Sequence, residues 1–282
     1  MAKIIDGKAI SNKIKERVKQ EVNLLKEKNI FPGLAVIIVG NDPASRVYVN
    51  NKKKACEFVG IYSREYALPD NISQSELIDL IRNLNKDRNI DGILVQLPLP
   101  KHIDEKAVIK AIDPIKDVDA FHSENVGKVM IGDYYFAPCT PAGIIEILKE
   151  ENIDICGKNC VVIGRSNIVG KPMAMLLLHN NATVTICHSK TKNISEVCKS
   201  ADIIVVAVGV EKFLTKGMVK PGAVIIDVGM NRDLNGNLCG DVDFENVSKI
   251  ASHITPVPGG VGPMTIAMLM ENTVKAAKIQ RS

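Results

Sequence analysis

Short apolar runs alternate with amphipathic segments along the chain, and this alternation restricts the fold more than any other feature. The first series contains GLAVIIVG (33–40), SREYALP (63–69) and DGILVQLPLP (91–100). Continuous apolar runs bounded by glycine are typical of strands buried on both faces, as in parallel sheets. Segments with helical periodicity, 8–28, about 44–58 and 73–86, separate the runs. This βαβ order predicts an α/β layer.

A second series of apolar runs follows after residue 139. It consists of CVVIG (160–164), ATVTIC (182–187), ADIIVVAVG (201–209) and GAVIIDVG (222–229). Because 282 residues exceed the usual size of one domain, we predict two α/β domains with parallel sheets. The predicted boundaries are 1–138 and 139–261, with a C-terminal helix at 262–282 that completes the first domain.

Composition excludes several classes of protein. The net charge of +4 is spread along the chain without a basic tail, so neither nucleic acid nor a membrane surface is expected as a partner. No apolar run approaches the roughly 18 residues of a transmembrane helix, and the N-terminus lacks the apolar region of a signal peptide. Seven cysteines, an odd number without a C-x-x-C pair, favour a reducing, cytoplasmic setting.

The segment VVIGRSNIVGKP contains a glycine turn between a predicted strand and a helix that begins near Pro172. Such a turn directs backbone N–H groups at an anion, typically phosphate. The dinucleotide fingerprint G-x-G-x-x-G is absent, because five residues separate Gly164 from Gly170, and the P-loop pattern fails as well. The alternative is a turn that only joins a strand to a helix.

The end of the following strand favours a cofactor over that alternative. NAD-binding folds place an acidic residue about 20 positions after the first glycine, whereas basic residues accommodate the additional phosphate of NADP. Here the strand ends in CHSKTK, which has His188, Ser189 and Lys190 but no acid. Together with Arg165 beside the turn, this composition favours NADP.

One lysine of the triplet 52–54 differs from its neighbours by its helical phase. Tyr48 and Lys52 are four residues apart and share a face with Ala55 and Val59, while Lys53 and Lys54 point elsewhere. A lysine drawn into an apolar cleft has a lowered pKa and can act as general acid and base near neutrality. Taken alone, three solvated lysines on a helix surface are the commoner arrangement.

Polar residues at the end of the third predicted strand extend this candidate site. Gln96 follows the apolar run GILV, and carboxyl ends of parallel strands are where α/β proteins bind ligands. Asp117 and Asp119 lie in a loop, where acids more often serve as caps. The five histidines have no ligand-like spacing, so no metal site is expected.

Several segments together resemble the bifunctional methylenetetrahydrofolate dehydrogenase/cyclohydrolase family. They run in order over almost the full length: VGNDPASRVYVNNKKKACEFVGI, DGILVQLPLP, DPIKDVDAFH, PCTPAGI, VVIGRSNIVGKP, CHSKT, IIDVGMN, GDVDF and ITPVPGGVGPMT. The resemblance implies an α/β homodimer of one-carbon metabolism, with a folate cleft between a catalytic domain and a Rossmann-like NADP domain. The implied reactions oxidise 5,10-methylenetetrahydrofolate with NADP⁺ and hydrolyse the methenyl product to 10-formyltetrahydrofolate.

The resemblance also implies roles for individual residues, and its catalytic set would be Lys52, Gln96, Tyr48 and Asp119. Lys52 would transfer protons while bonded to Gln96, Tyr48 would pack on the folate, and Asp119 would hold the pterin ring. The remaining folate positions would be Ser45, Val95, Leu97, Pro258, Gly259 and Gly260. The cofactor positions would be Gly164, Arg165, Ser166, Ser189 and Met230, with Arg165 and Ser189 meeting the 2′-phosphate.

Two departures from the family pattern and three functional alternatives remain at this stage. Ala120 stands where the family usually has glycine, which matters only if the backbone there needs a positive φ, and Met230 stands where isoleucine or valine is common. One alternative is a dehydrogenase without the hydrolase step, and a second is an enzyme that uses NAD. The third is a non-catalytic nucleotide-binding module.

Overall fold

The computed structural model describes residues 1–233 and 235–281, and at position 44 it describes the backbone alone. The strands in these ranges are β1 (Lys3–Ile4), β2 (Gly33–Val39), β3 (Tyr62–Leu68), β4 (Gly92–Val95), β5 (Asn159–Ile163), β6 (Thr183–Cys187), β7 (Ile203–Val206), β8 (Val224–Asp227), β9 (Asn231–Arg232), β10 (Leu238–Cys239) and β11 (His253–Ile254). The helices are α1 (Gly7–Glu27), α2 (Pro43–Val59), α3 (Gln74–Lys86), α4 (Glu105–Ala111), α5 (Ser123–Ile131), α6 (Cys139–Glu150), α7 (Gly170–His179), α8 (Ile194–Lys199), α9 (Phe244–Val247) and α10 (Val261–Arg281). A 3₁₀ turn spans Lys216–Met218.

The chain forms two compact units. The first unit comprises residues 12–139 and 266–281, and the second comprises residues 1–11 and 140–265. The sequence interpretation assigned residues 1–138 to one domain, but residues 1–11 group with the second unit. The reason is that β1 is hydrogen bonded in parallel to β11, a partner some 250 residues away in sequence.

The first unit contains a parallel sheet with the order β3-β2-β4. Every residue of β2 and β4 is buried, as their unbroken apolar runs predict. Helix α3 begins with a capping box, in which Ser73 and Glu76 satisfy each other's backbone N–H groups, and it buries a stripe of leucine and isoleucine against the sheet. The predicted strand and helix alternation is confirmed in this unit.

The second unit contains a six-stranded sheet with the order β1-β11-β8-β7-β5-β6, in which all neighbours are parallel. Strand β5 has β6 on one side and β7 on the other, so the chain reverses its direction of progress across the sheet at β5. The carboxyl ends of strands at such a switch point form the usual ligand crevice of doubly wound sheets. The strands are shorter than the apolar runs, because Ala207, Val208 and Gly209 form a loop after β7.

The backbone of the loop before α5 has a positive φ at Ala120. Ala120 has φ 59° and is fully buried, so the position does adopt the left-handed conformation that favours glycine. This conformation costs an alanine roughly 1–2 kcal/mol. Hydrogen bonds offset that cost: Asp117 accepts from the His122 N–H and from Asn125 Nδ2, both at 2.8 Å. Asn272 Nδ2 donates to the Val118 carbonyl, also at 2.8 Å.

Helix α10 ends at Arg281, and the last residue of the predicted helix 262–282 lies outside the described residues. Among the residues described, no helix combines the length and the apolar character needed to cross a membrane.

Candidate active site

Helix α2 presents Lys52 on its buried face. Asp42 caps the helix by accepting from the Ser45 N–H at 2.7 Å, and Gly60 ends it with φ 83°. Lys52 is only 9% exposed, and Ala55 and Val59 on the same face are buried too. Lys53 and Lys54 are exposed. The phase predicted from sequence is therefore present, and only one lysine of the triplet is withdrawn from solvent.

Gln96 lies directly after β4 and meets this lysine. Its backbone N–H donates to the Ile37 carbonyl at 2.8 Å, which continues the ladder to β2. Lys52 Nζ donates to Gln96 Oε1 at 3.0 Å, and Gln96 Nε2 donates to the Leu97 carbonyl at 2.7 Å. Both ends of the Gln96 amide are thus engaged. The amide oxygen holds the ammonium group at the carboxyl end of the strand.

Asp119 supplies the charge opposite Lys52. Burial raises the pKa of Asp119 to about 6, while the positive charge of Lys52 pulls in the other direction. Burial lowers the pKa of Lys52, and the charge of Asp119 opposes that shift. Each group therefore favours the charged form of the other.

The other folate positions inferred from the resemblance divide between the two units. Tyr48 is half-buried, and burial raises the pKa of its hydroxyl, so it stays neutral. Ser45 and Val95 are buried, and Leu97 is partly buried. These residues belong to the first unit together with Lys52. Residues 258–260 belong to the second unit, where they form the turn before α10.

Two neighbours of Asp119 were not anticipated from the sequence. The thiol of Cys139 lies 3.8 Å from Asp119 Oδ1 and 3.5 Å from the Val118 carbonyl. Asn272 Nδ2 approaches the same sulfur at 3.6 Å. Cys139 and Asn272 lie 20 and 153 positions after Asp119, too far for a local pattern to connect them. The sequence contains a signal for one of them, because Cys139 falls in the segment PCTPAGI.

The second unit folds the glycine turn in a way that fits a dinucleotide. Gly164 has φ 129°, and a Cβ atom there would lie 2.3 Å from the Ala207 carbonyl oxygen. A Cβ on Gly170 would lie equally close to the Gly164 carbonyl oxygen. Ser166 Oγ accepts from the N–H groups of Val169 and Gly170 at 3.1 and 3.3 Å. Glycine is therefore required at both positions, as in turns whose backbone approaches a pyrophosphate in such folds.

The side chains around this turn are basic residues and serines. Arg165, Ser166 and Ser189 are exposed, and Lys190 donates its backbone N–H to His188 Nδ1 at 3.1 Å in the turn after β6. Met230, which follows β8, is 48% exposed. No acidic residue occupies the end of β6, so the chemistry of the residues present fits a phosphorylated ribose better than a free one.

The structure therefore has a sheet edge suited to a dinucleotide in one unit and, in the other, a buried lysine bonded to a partly buried amide, together with a partly buried carboxylate. These are the features of a nicotinamide-dependent enzyme that also carries out acid–base chemistry.

Comparison with known proteins places this enzyme in a family. Residues 5–119 match the family model described as "Tetrahydrofolate dehydrogenase/cyclohydrolase, catalytic domain", and residues 138–281 match "Tetrahydrofolate dehydrogenase/cyclohydrolase, NAD(P)-binding domain". The chain belongs to the tetrahydrofolate dehydrogenase/cyclohydrolase family. The family predicted from sequence is confirmed.

Individual relatives are similar over the whole chain. The "Bifunctional protein FolD" of Acetivibrio thermocellus is 69% identical over 279 residues, which cover 99% of this chain and 98% of that protein. The crystal structure of the bifunctional FolD enzyme from Campylobacter jejuni has a TM-score of 0.97 at 54% identity, covering 99% of this chain and 100% of that one. The Trypanosoma brucei enzyme, solved with NADP cofactor and inhibitor, has a TM-score of 0.95 at 39% identity, covering 100% and 99%.

Proposed function

We propose that Lys52, Gln96 and Asp119 are the catalytic group for both activities of this enzyme. The chain is an NADP-dependent 5,10-methylenetetrahydrofolate dehydrogenase and a methenyltetrahydrofolate cyclohydrolase, whose product is 10-formyltetrahydrofolate. One observation carries the assignment: the buried amino group of Lys52 is bonded to Gln96 at the end of a buried strand, where burial lowers its pKa and the charge of Asp119 opposes that shift. Its place at the carboxyl end of a buried strand, where α/β sheets bind their ligands, supports a catalytic role.

In the hydrolysis step, neutral Lys52 acts first as a base. The oxygen of a water molecule bonds to the methenyl carbon while Lys52 takes one of the water protons. The bond from that carbon to N5 of the folate then breaks, and Lys52 returns its proton to N5. The remaining hydroxyl proton leaves to solvent as the formyl group forms on N10. Gln96 Oε1 keeps the Lys52 nitrogen directed at the reacting carbon.

In the oxidation step, NADP⁺ supplies the hydride acceptor, and the role of the chain is electrostatic. Loss of hydride leaves positive charge on the substrate, which a fully protonated lysine beside it would oppose. The lowered pKa of Lys52 reduces that repulsion. Asp119 holds the pterin ring through its carboxylate, and Tyr48 packs on it. Ser45, Val95 and Leu97 line the folate in the same unit. Pro258, Gly259 and Gly260 are the further folate positions that the family resemblance implies.

The domain roles follow from this assignment. The unit of residues 12–139 and 266–281 is the catalytic, folate-binding unit. The unit of residues 1–11 and 140–265 binds NADP through Gly164, Arg165, Ser166, Ser189 and Met230.

Arg165 is expected to decide cofactor preference. The substitution Arg165→Ala removes a charge-assisted hydrogen bond to the 2′-phosphate. Such a bond is worth about 1.5–3 kcal/mol, so kcat/KM for NADP⁺ should fall roughly 10- to 100-fold. The value for NAD⁺, which lacks that phosphate, stays unchanged. Lys199→Ala, which removes an exposed cation from α8 in the same unit, serves as the control. Equal losses with NADP⁺ and NAD⁺ would count against this role.

The enzyme also acts as a homodimer in this proposal. Strand β3 lies at one end of its sheet, is seven residues long and carries exposed Tyr62 and Arg64. A long open edge of this kind is normally covered. Light scattering coupled to gel filtration should give twice the 30.7 kDa of one chain, and a mass of 30.7 kDa would refute the dimer.

A cytoplasmic location is supported by the seven free cysteines, which suit a reducing compartment.

One assay tests both activities together. The protein is incubated with 5,10-methylenetetrahydrofolate and either NADP⁺ or NAD⁺, and nicotinamide reduction and methenyl concentration are followed in the same cuvette. The expected result is reduction of NADP⁺ with little methenyl accumulation. Methenyl that accumulates in step with NADPH would show a dehydrogenase without the hydrolase activity.

A further inference from the structure

Two buried carboxylates in the second unit have no role in the mechanism above. Asp241 is fully buried and Asp227 is 2% exposed. Asp227 is the last residue of β8, and Asp241 follows β10. Neither forms an ion pair with a described residue, and both accept hydrogen bonds, chiefly from backbone N–H groups. A buried charge of this kind is costly unless its acceptor positions are filled.

The acceptors of Asp241 are filled by the loop that follows β7. Its Oδ2 accepts from the N–H groups of Val208 and Gly209 at 2.7 and 3.0 Å, and its Oδ1 accepts from the Val210 N–H at 2.9 Å. Asn231 Nδ2 donates a fourth bond to Oδ1 at 2.8 Å. Three consecutive backbone amides are therefore turned toward one side chain.

Asp227 fixes Asp241 in turn. It accepts from the backbone N–H groups of Asp241 and Val242 at 2.9 and 3.0 Å, and from that of Gly229 at 2.9 Å. The packing around the two carboxylates leaves no space for a side chain at two neighbouring glycines. A Cβ on Gly229 would lie 2.3 Å from the Asp241 carboxylate, and one on Gly240 would lie 1.9 Å from Asp227 Oδ2.

The segments held in this way border the proposed cofactor residues. The loop 207–210 begins at Ala207, whose carbonyl oxygen is the atom that a Cβ on Gly164 would strike. Asn231 is the chain neighbour of Met230. Asp241 thus connects the glycine turn at the end of β5 with the segment after β8, and both lie at the carboxyl edge of the sheet.

We propose that Asp241 is a positioning residue for NADP: its carboxylate holds loop 207–210 and Asn231 in the conformation that shapes the cofactor site. Asp227 supports it by holding the Asp241 backbone. The inference rests on the cofactor assignment made under Proposed function. It predicts that loss of the carboxylate affects the dehydrogenase selectively, because hydrolysis of methenyltetrahydrofolate consumes no nicotinamide.

The test compares two Asp→Asn variants of the full chain. Asp241→Asn places an amide NH₂ against backbone N–H donors, so the Kd of NADP⁺ measured by calorimetry should rise about tenfold or more. Its cyclohydrolase rate, assayed without nicotinamide, should stay at the unmodified value. The matched control is Asp202→Asn at the opposite, amino edge of the same sheet, where Asp202 accepts from the Asn159 N–H and pairs with Lys220. That variant should bind NADP⁺ normally, even if its melting temperature falls.

Two further measurements keep the outcome decisive if Asp241→Asn does not fold. Asn231→Ala removes only one of the four bonds and should weaken NADP⁺ binding by a smaller factor. In the unmodified protein, the amides of Val208, Gly209 and Val210 should be strongly protected from hydrogen exchange.

Normal NADP⁺ affinity in Asp241→Asn would overturn the proposal, as would fast exchange of those three amides. If the unmodified chain itself bound no NADP⁺, the cofactor assignment would fail first, and the two failures are thereby distinguished.

Discussion

The Asp119→Asn variant should lose at least about 100-fold in kcat/KM for both the dehydrogenase and the cyclohydrolase reaction. Asparagine has the same shape, so the buried loop is retained. In the proposed arrangement, however, the lost charge is the one that receives the pterin N–H groups and balances Lys52. Both reactions use the same folate, and both should therefore suffer. Initial rates with methylenetetrahydrofolate plus NADP⁺, and with methenyltetrahydrofolate alone, give the two values.

The control is Asp133→Asn, in the exposed loop after α5. It should leave both rates unchanged. If Asp119→Asn retained either activity at the unmodified level, Asp119 would not hold the substrate in that reaction.

The same variant should change the pH dependence. Burial raises the pKa of Asp119 to about 6. In the proposed function the carboxylate form is the one that binds substrate. The kcat/KM of the unmodified enzyme should therefore fall as the pH drops through about 6, where the carboxyl gains its proton. Asp119→Asn has no such proton to gain, so this limb should be absent from its profile. A profile of the unmodified enzyme that is flat between pH 7 and 5 would contradict the assignment.

Lys52→Met should have the largest effect on hydrolysis. Methionine matches the length and flexibility of the lysine stem and fills the buried space without a charge, so the fold is kept. Removal of a positioned acid–base group typically costs about 10²- to 10⁴-fold, and we expect a loss near the upper end because the proposed mechanism uses Lys52 in two proton transfers. The hydride step should lose less, since no proton moves in it. Hydrolysis is measured from the decay of methenyltetrahydrofolate.

Lys53→Met is the matched control on the same helix. Lys53 is exposed, so the same substitution there should leave hydrolysis unchanged. Equal losses in the two variants would point to a general effect of charge on helix α2 and not to catalysis by Lys52.

Local sequence pattern was enough to predict the fold class. The unbroken apolar runs at 33–40 and 160–164 became fully or almost fully buried strands. A strand covered on both faces has apolar side chains at consecutive positions, and the short length of these runs and their glycines distinguish them from a buried helix. Helical phase was equally informative at Lys52, where the four-residue spacing to Tyr48 and the buried Ala55 and Val59 distinguish it from Lys53. The catalytic roles of Lys52 and Gln96 stay predictions until the variants are measured.

Features that depend on distant pairing could not be predicted in this way. Strand β1 has two residues, too few for a periodic signal, and its position depends on β11 near the other end of the chain. Asp241 is similar, because its partners are backbone N–H groups, which every residue carries and which leave no trace in sequence. At Ala120 the sequence shows that alanine replaces the family's usual glycine, which matters where φ is positive. The hydrogen bonds of the loop, and not the local sequence, decide that φ is positive there.

The most direct test of the account is to follow methylenetetrahydrofolate and NADP⁺ with Lys52→Met in the assay that records both products. The account predicts that NADPH forms while methenyltetrahydrofolate accumulates, whereas Lys53→Met and the unmodified enzyme convert it to 10-formyltetrahydrofolate. Methenyltetrahydrofolate that disappears in Lys52→Met at the unmodified rate would contradict the claim that the buried lysine transfers the protons.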